Sequence, residues 1–520
     1  MQRIHPQTHT PSLPLHGSAA SRTLEQAALA ALPSHALMQR AAQAVAALAR
    51  ALCPHARTIW VACGPGNNGG DGLLAAAELH RLAAGHGATV LASWHGNEQR
   101  LPADARHALA QARAAGVRFV DEPPAAFDLG IDALLGLGAR GIDTEPMAHW
   151  LARLQDTTAP VLCVDLPSGL DPDSGVWRNR CPARPRGPRH TLSLLTLKPG
   201  LFTASGRDAA GEIWLDRLGV DPAGAPPDAW LAGTATGGPA ERRLRHALHK
   251  GSHGDLLVLG GQDVAVNGIG MSGAAFLAAR AGLQAGAGRV YLGLLGAGPA
   301  SPALDALWPE LMFRDAQAAA GGELAASATT VCGCGGGIAV RAVLSALLER
   351  SPRLVLDADA LNAVAAEPAW RRQLAQRLAR GQQTILTPHP LEAARLLGCD
   401  SAAIQSDRLG AASRLARELQ CVIVLKGSGS VVAAPGSTPT INPSGNALLA
   451  TAGTGDVLAG MTGAYWSQAH GESAATPDAP LAVALRAAET AVHRHGLIAD
   501  LWPAGRALRA GAMAEAVTPW

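Results

Sequence analysis

Lysine is nearly absent from this sequence: of its 43 Lys and Arg residues only three are lysines, namely Lys198, Lys250 and Lys426. Arginine therefore supplies the general positive surface charge, and a lysine that remains is expected to be needed for its compact, flexible ammonium group. Each of the three lies next to a glycine-bearing turn. They are candidate functional residues, with chance survival as the alternative.

Net charge and long apolar runs are also lacking. A formal charge of +2 gives no basis for nucleic-acid or membrane binding through bulk electrostatics. No uncharged apolar run approaches the roughly 20 residues that a membrane-spanning helix needs. Residues 1–20 contain no apolar core followed by a cleavage pattern, so we expect no secretory signal. A hydrophobic content of 48% is typical of a globular enzyme.

Cysteines are few and scattered. Only Cys332 and Cys334 of the eight lie close together, and no second pair stands at metal-ligand spacing. We therefore expect reduced thiols and a cytoplasmic location.

Strands alternate with helices in both halves, which predicts the α/β class. A chain of 520 residues exceeds what one hydrophobic core usually supports. Residues 221–227 and 233–239 are rich in proline, glycine and small residues, as a linker is. We predict two domains, residues 1–225 and residues 226–520.

A glycine-rich segment, residues 64–72, follows the predicted strand Thr58–Cys63 and precedes a helix predicted from Leu73 to about Leu82. Its Gly-x-Gly-x-x-Gly spacing is that of a dinucleotide-binding turn. That fingerprint also needs a carboxylate about 20 residues on, yet the second strand ends in Trp94-His95. Two amides and an acid in this segment suit polar ligand groups or a monovalent cation instead.

Polar residues also follow other predicted strands. Asp132, Asp165 and Ser168 do so in the first half, and Asp357, His389 and Lys426 in the second. Because ligands bind at the carboxyl ends of parallel strands, Asp71, Asp132, Asp165 and Ser168 are expected to converge on a site. A turn or cap residue is the alternative for any one of them.

Asp456 follows Gly453-Thr-Gly455 and opens an apolar helix. A glycine-rich helix start favours phosphate oxygens, and a carboxylate there can take a proton from a hydroxyl that attacks a phosphoryl group. Capping its own helix is the alternative role for Asp456.

Taken in order, these segments resemble the bifunctional NAD(P)H-hydrate repair proteins, in which an NAD(P)HX epimerase domain is fused to an ADP-dependent NAD(P)HX dehydratase domain. The resemblance covers about residues 22–501. It rests on the motifs at residues 64–72, 164–171, 197–201, 249–254, 357–362, 387–392, 424–427, 442–446 and 453–456.

The resemblance implies a Rossmann-like three-layer first domain and a ribokinase-like second domain. For the first it implies substrate contacts at Asn67, Asn68, Gly69, Gly70, Asp71, Gly136, Leu137, Gly138, Ala139, Arg140, Gly141 and Asp165, and K⁺ ligands at Asn68, Asp132 and Ser168. For the second it implies substrate contacts at Ala274, Gly335, His389 and Asp456, and nucleotide contacts at Lys426, Gly427, Ser428, Gly429, Ser430 and Gly455.

By the same resemblance, Asp456 is the catalytic base, Mg²⁺ accompanies ADP, and NADHX and NADPHX are the substrates. We also expect a homo-oligomer. Three features depart from the family pattern: Arg189-His190 where an acidic residue is usual, Leu137 where Thr is common, and an apparent insertion at residues 265–268. The alternatives are a small-molecule hydroxyl kinase and a non-catalytic, ligand-sensing first domain.

Overall fold

The computed structural model describes residues 1–5, 11–83, 87–138, 141–142, 145–178, 185–222, 224–234, 249–298, 301–472 and 480–519. The chain divides into two compact units, formed mainly by Pro14–Ala229 and by Trp230–Trp520. Both units are α/β, as the sequence predicts. No helix in the described ranges combines the length and apolar character needed to cross a membrane.

Up to residue 231 the strands are β1 (Gln2–Ile4), β2 (Leu13–Leu15), β3 (Thr58–Cys63), β4 (Thr89–Trp94), β5 (Arg118–Phe119), β6 (Leu129–Ala133), β7 (Val161–Val164), β8 (Arg189–Leu194), β9 (Glu212–Asp216) and β10 (Ala229–Leu231). The helices of this part are α1 (Ser18–Ala31), α2 (Ala36–Leu52), α3 (Asn67–Ala83), α4 (Ala103–Ala114), α5 (Met147–Asp156) and α6 (Gly206–Ala209).

The sheet of the first unit has the order β1-β9-β8-β7-β6-β3-β4-β5. All its pairings are parallel except that of β1 with β9. From β3 the chain winds outward through β4 and β5, then returns to β6 on the other side. The doubly wound order therefore reverses between β3 and β6, where such folds bind ligands.

Alternate residues of β3 pack into two different helical layers. Ile59 and Val61 join a core with α2, α3 and α4. Trp60 and Ala62 face the opposite layer and pack with α5. This period-two burial gives the three-layer arrangement.

Helix α3 begins at Asn67, six residues earlier than predicted, so the polar cluster lies in its first turns. Close packing explains why glycines are helical here. A Cβ on Gly69 would lie 2.0 Å from Gly64 O, and one on Gly72 would lie 2.4 Å from Ala133 Cβ. Tertiary packing overrides the low helix propensity of glycine.

From residue 255 onward the strands are β11 (Asp255–Gly260), β12 (Arg289–Leu294), β13 (Met312–Phe313), β14 (Thr329–Cys332), β15 (Arg353–Leu356), β16 (Gln383–Leu386), β17 (Val422–Leu425), β18 (Val431–Ala433) and β19 (Thr440–Ile441). The helices are α7 (Ser272–Gln284), α8 (Ala316–Gly321), α9 (Glu323–Ser327), α10 (Arg341–Arg350), α11 (Ala358–Ala366), α12 (Pro368–Ala375), α13 (Pro390–Leu397), α14 (Ser401–Ser406), α15 (Arg408–Leu419), α16 (Thr454–Glu472), α17 (Pro480–Asp500) and α18 (Ala510–Glu515).

The second sheet has the order β13-β12-β11-β14-β15-β16-β17-β18-β19-β10-β2. Strands β11 to β17 pair in parallel, whereas β18 is antiparallel to both neighbours. Helices α7, α16 and α17 share one core with the strands. The parallel strands end at one edge, so the loops that follow β14, β15, β16 and β17 are neighbours there.

Candidate active sites

A cavity of about 620 Å³ lies in the first unit at the reversal between β3 and β6. Its lining includes these residues, which the sequence predicts as substrate contacts: Asn67, Asn68, Asp71, Gly136, Leu137, Gly138 and Asp165. Glu25, Asp104 and Lys198 also line it. Seven of the predicted substrate-binding residues therefore share one cavity.

The three predicted K⁺ ligands lie beside this cavity. Ser168 donates from Oγ to Asp132 Oδ1 at 2.6 Å and from N to Asp132 Oδ2 at 3.0 Å. Burial raises the pKa of Asp132, and the hydrogen bonds from Ser168 lower it in part. A Cβ on Gly136 would lie 3.4 Å from Asn68 Oδ1. The buried Asn67 Oδ1 and Asn68 Nδ2 make no hydrogen bond, so amide groups here remain to be satisfied by a ligand.

Asp165 is held at the end of β7 in a left-handed conformation, with φ of 66°. Its Oδ1 accepts hydrogen bonds from Lys198 Nζ and from Leu194 N. Lys198 is 1% exposed and also donates to Leu194 O at 2.8 Å and Thr196 O at 3.1 Å. The ammonium group thus fixes both the carboxylate and the loop after β8.

Each ionised carboxyl group in this cavity disfavours ionisation of the others. Burial raises the pKa of Asp71 well above its ordinary value, and Asp165, Glu25 and Asp104 add to the rise. Burial and Asp165 also raise the pKa of Glu25. Burial and the neighbouring carboxyl groups therefore favour the protonated form of Asp71 more than water does.

The remaining predicted residues of the first unit differ in position. Gly69 and Gly70 are buried in α3, and a Cβ on Gly70 would lie 2.6 Å from Met38 Cε. Both serve close packing of α3. Gly141 has φ of 127°, and Ala139 and Arg140 lie outside the described residues.

In the second unit, Asp357 follows β15 and Lys426 follows β17, and β16 lies between these two strands. Lys426 Nζ lies 2.7 Å from Asp357 Oδ1, which also accepts a 2.7 Å hydrogen bond from Thr387 Oγ1. Burial disfavours the ammonium charge, but Asp357 and Glu392 outweigh it and raise the pKa of Lys426. A Cβ on Gly455 would lie 3.5 Å from Lys426 Nζ, so two predicted nucleotide-binding residues are adjacent.

Asp456 lies in the first turn of α16 and faces the same edge. One oxygen each from Asp456 and Asp357 and the Cys334 sulfur all lie within 4.8 Å of one another. Burial and the charge of Asp357 raise the pKa of Asp456 to about 6. Its carboxylate faces the site and the Cys334 thiol, which argues against a purely capping role.

A buried histidine stands behind this helix start. His495 on α17 donates from Nε2 to Thr454 O at 2.8 Å, and burial lowers its pKa to about 4. The imidazole is therefore neutral at pH 7 and fixes the residue two positions before Asp456.

His389 caps α13. Its Nδ1 accepts from Leu391 N at 3.1 Å, and Glu392 Oε2 accepts from His389 N at 2.8 Å. Nε2 lies 3.2 Å from Glu392 Oε1. Burial and Lys426 lower the pKa of His389, while burial raises that of Glu392 to about 7. The exposed imidazole is thus held in one orientation beside Lys426.

Ala274 and Gly335 meet where the second sheet reverses, between β11 and β14. Gly335 has φ of 57°, and a Cβ on it would lie 2.6 Å from Met271 O and 2.8 Å from Ala274 Cβ. Gly427, Ser428, Gly429 and Ser430 form the turn after β17. The predicted site residues of this unit therefore lie on loops and in the first turns of helices at one sheet edge.

The structure adds three residues to the two sites that the sequence analysis had not assigned to either. Asp357 was expected at a strand end but was given no role, and Cys334 was expected only to be a reduced thiol. Lys198 was marked by the scarcity of lysine. The Asp-Ala-Asp motif at residues 357–359 was the available signal for Asp357, whereas only packing reveals Cys334.

The structure locates two of the three departures from the family pattern at or near the sites. Arg189 and His190 are the first two residues of β8. Arg189 donates to Leu154 O at 2.8 Å, and β8 first lines the cavity at Leu194. Leu137 lines the cavity. The segment 265–268 lies beside Gln262, whose Nε2 donates to Asn267 Oδ1 at 2.8 Å.

Two families match separate parts of the chain. The family described as NAD(P)H-hydrate dehydratase matches residues 256–517, and the YjeF-related protein N-terminus matches residues 34–200. The bifunctional NAD(P)H-hydrate repair enzyme Nnr of Escherichia coli K12 is 37% identical, over 85% of this chain and 83% of its own. That of Coxiella burnetii is 33% identical, over 94% and 97%.

Among solved structures, a Bacillus subtilis ADP/ATP-dependent NAD(P)H-hydrate dehydratase co-crystallized with ATP/Mg²⁺ is similar to about half of this chain. It is 30% identical and covers 52% of this chain and 90% of its own, with a TM-score of 0.41.

Proposed function

Because this chain belongs to the bifunctional NAD(P)H-hydrate repair enzymes, we propose that its second unit dehydrates S-NAD(P)HX at the expense of ADP. We propose that its first unit interconverts the R and S epimers of the same hydrate. The observation that carries the dehydratase proposal is the convergence of Asp456, Asp357 and Lys426 at one sheet edge.

Asp456 is the general base of the proposed reaction. With a pKa raised to about 6, it is ionised at pH 7.5 yet remains a better proton acceptor than an ordinary aspartate. It takes the proton of the C6 hydroxyl as that oxygen attacks the terminal phosphorus of ADP. The bond from this phosphorus to the bridging oxygen breaks, which releases AMP. Loss of phosphate from C6, with a proton from the adjacent carbon, then gives NAD(P)H.

Lys426 and the start of α16 hold the phosphates. The ammonium group lies beside Gly455, so it and the backbone N–H groups at the helix start face the same space. These groups stabilise the charge that develops on the transferred phosphoryl oxygens. Asp357 and Asp456 offer carboxylate oxygens that suit Mg²⁺, which would neutralise phosphate charge when bound.

For the epimerase, we propose that Asp165, Asp71 and Lys198 contact the hydrated nicotinamide ring in the 620 Å³ cavity. The raised pKa of Asp71 fits a proton donor, and the ion-paired Asp165 fits an acceptor. Oxygen atoms of Asn68, Asp132 and Ser168 would hold K⁺ and orient the polar end of this cavity. A cytoplasmic location and a homo-oligomer remain predictions.

The dehydratase proposal is tested with Asp456→Asn. We expect dehydration of S-NADHX with ADP to fall about 10²–10⁴-fold, the usual loss when a general base is removed. Epimerisation should be unchanged, because it is assigned to the first unit, and urea unfolding of the variant serves as the control for folding of the second unit. A near wild-type dehydration rate would remove Asp456 from the mechanism.

Product analysis separates this proposal from a hydroxyl kinase. Wild-type enzyme with S-NADHX should release one phosphate and one AMP for each NADH formed. A stable phosphorylated hydrate without NADH would favour the kinase.

A further inference from the structure

A buried arginine lies beneath the turn that follows β17. Arg408 begins α15 and is only 2% exposed. Its Nη2 lies 3.3 Å from each of three backbone carbonyl oxygens, those of Leu425, Lys426 and Gly429. One guanidinium group thus contacts both ends of the turn that begins with Lys426.

The turn is shaped to admit this group. Gly427 has φ of 137° and Gly429 has φ of 66°, values that favour glycine. A Cβ on Gly427 would lie 2.9 Å from Arg408 Nη1. The absence of a side chain at Gly427 therefore makes room for the guanidinium as well as for the backbone conformation.

The contacts also decide which backbone groups can meet an anion. Carbonyl oxygens repel phosphate, whereas two of those in this turn, together with that of Leu425 at the end of β17, lie against the buried guanidinium. Burial lowers the pKa of Arg408 to about 10, which leaves it charged at pH 7. Its charge lies directly behind the loop that presents Lys426.

We propose that Arg408 is a positioning residue for nucleotide binding, because it holds the 426–430 turn and the Lys426 backbone in the conformation that receives the phosphates. This inference rests on the proposed function, since it takes the turn as the ADP site. Lysine could not replace Arg408, because an ammonium group has no second nitrogen like Nη1, which donates to Gln405 Oε1 at 2.9 Å while Nη2 contacts the carbonyl oxygens.

Arg377 provides a matched control. It is 1% exposed, its pKa is also lowered to about 10 by burial, and it donates to Leu348 O and Ser351 O at 2.6 Å. Its Nε donates to Thr384 Oγ1 at 2.8 Å, and Thr384 lies in β16 near the amino end of the strand. Replacing Arg377 should therefore cost stability without changing the nucleotide turn.

The test compares Arg408→Lys with Arg377→Lys in the full chain. For Arg408→Lys, we expect KM for ADP and Kd for Mg-ADP, measured by calorimetry, to rise about five- to tenfold, as loss of charged hydrogen bonds would cause. The kcat at saturating ADP should change less, and epimerase activity should not change. Arg377→Lys should leave KM and Kd for ADP within about twofold.

Equal effects of the two substitutions on ADP binding, or none from Arg408→Lys, would overturn the inference. If Arg408→Lys does not fold, Gln405→Ala carries the test. Gln405 is exposed and its Oε1 accepts from Arg408 Nη1 at 2.9 Å. That variant should fold and raise KM for ADP by a smaller factor, and an unchanged KM would overturn the inference. If wild-type enzyme binds no nucleotide, the proposed function fails instead.

Discussion

Replacing Asp456 by asparagine should stabilise the second unit while it abolishes most dehydration. Burial raises the pKa of this carboxyl from 3.8 to about 6. The folded state therefore holds a proton that the unfolded state releases, so stability falls as the pH rises from 3.8 through 6. The full shift corresponds to a loss of about 3 kcal/mol in the free energy of unfolding above pH 6. Because the carboxyl is partly exposed, we expect a loss of about 1–3 kcal/mol.

Asparagine has nearly the same shape and no charge, so it removes this cost. Urea unfolding of Asp456→Asn at pH 8 should give a free energy of unfolding about 1–3 kcal/mol above wild type, and the gain should shrink by about half at pH 5. Hydrogen exchange of residues 454–472 assigns the transition to the second unit.

The control is Asp156→Asn, whose side chain is 73% exposed. It should change stability by less than about 0.5 kcal/mol at both pH values. A lower free energy of unfolding for Asp456→Asn, or an increase of the same size at pH 8 and pH 5, would refute the argument that burial of the Asp456 carboxylate costs stability.

Three further predictions concern the two sites. Lys198→Met should lower epimerase activity about 10²-fold or more, because it leaves Asp165 without its cationic partner, while dehydration of purified S-NADHX stays normal. Asp132→Asn should raise the K⁺ concentration for half-maximal epimerase activity about tenfold, as loss of a metal ligand's charge would; an unchanged K⁺ titration would place the cation elsewhere. Gly335→Ala should lower the free energy of unfolding by about 1–3 kcal/mol, because its Cβ would lie 2.6 Å from a carbonyl oxygen. Gly321→Ala, with nothing within 4 Å of its Cβ, is the control, and equal urea midpoints would contradict the strain argument.

Much of the fold could be predicted because apolar strands and glycine turns alternate along the chain. The expected strand Thr58–Cys63 is β3. The predicted start of helix α3 was six residues too late, because its glycines do not favour a helix. They are explained by close contacts with Gly64 O and the Ala133 side chain. Such contacts between segments distant in sequence leave no local pattern.

The convergence of residues on the two sites could also be predicted from the sequence, but their detailed contacts could not. Parallel strands bring their carboxyl ends together, so residues at those ends could be expected to converge without coordinates. The ion pair of Lys426 with Asp357 and the nearness of Cys334 to Asp456 depend on side-chain packing. The raised pKa of Asp456 depends on burial, which sequence position alone does not report.

The most direct test supplies a mixture of R- and S-NADHX with Mg-ADP and K⁺ and follows NADH absorbance to its end point. Two working units predict complete conversion of the mixture to NADH, with AMP and phosphate formed in equal amounts. A halt once the initial S fraction is consumed would contradict an active first unit, and no NADH at all would contradict the dehydratase.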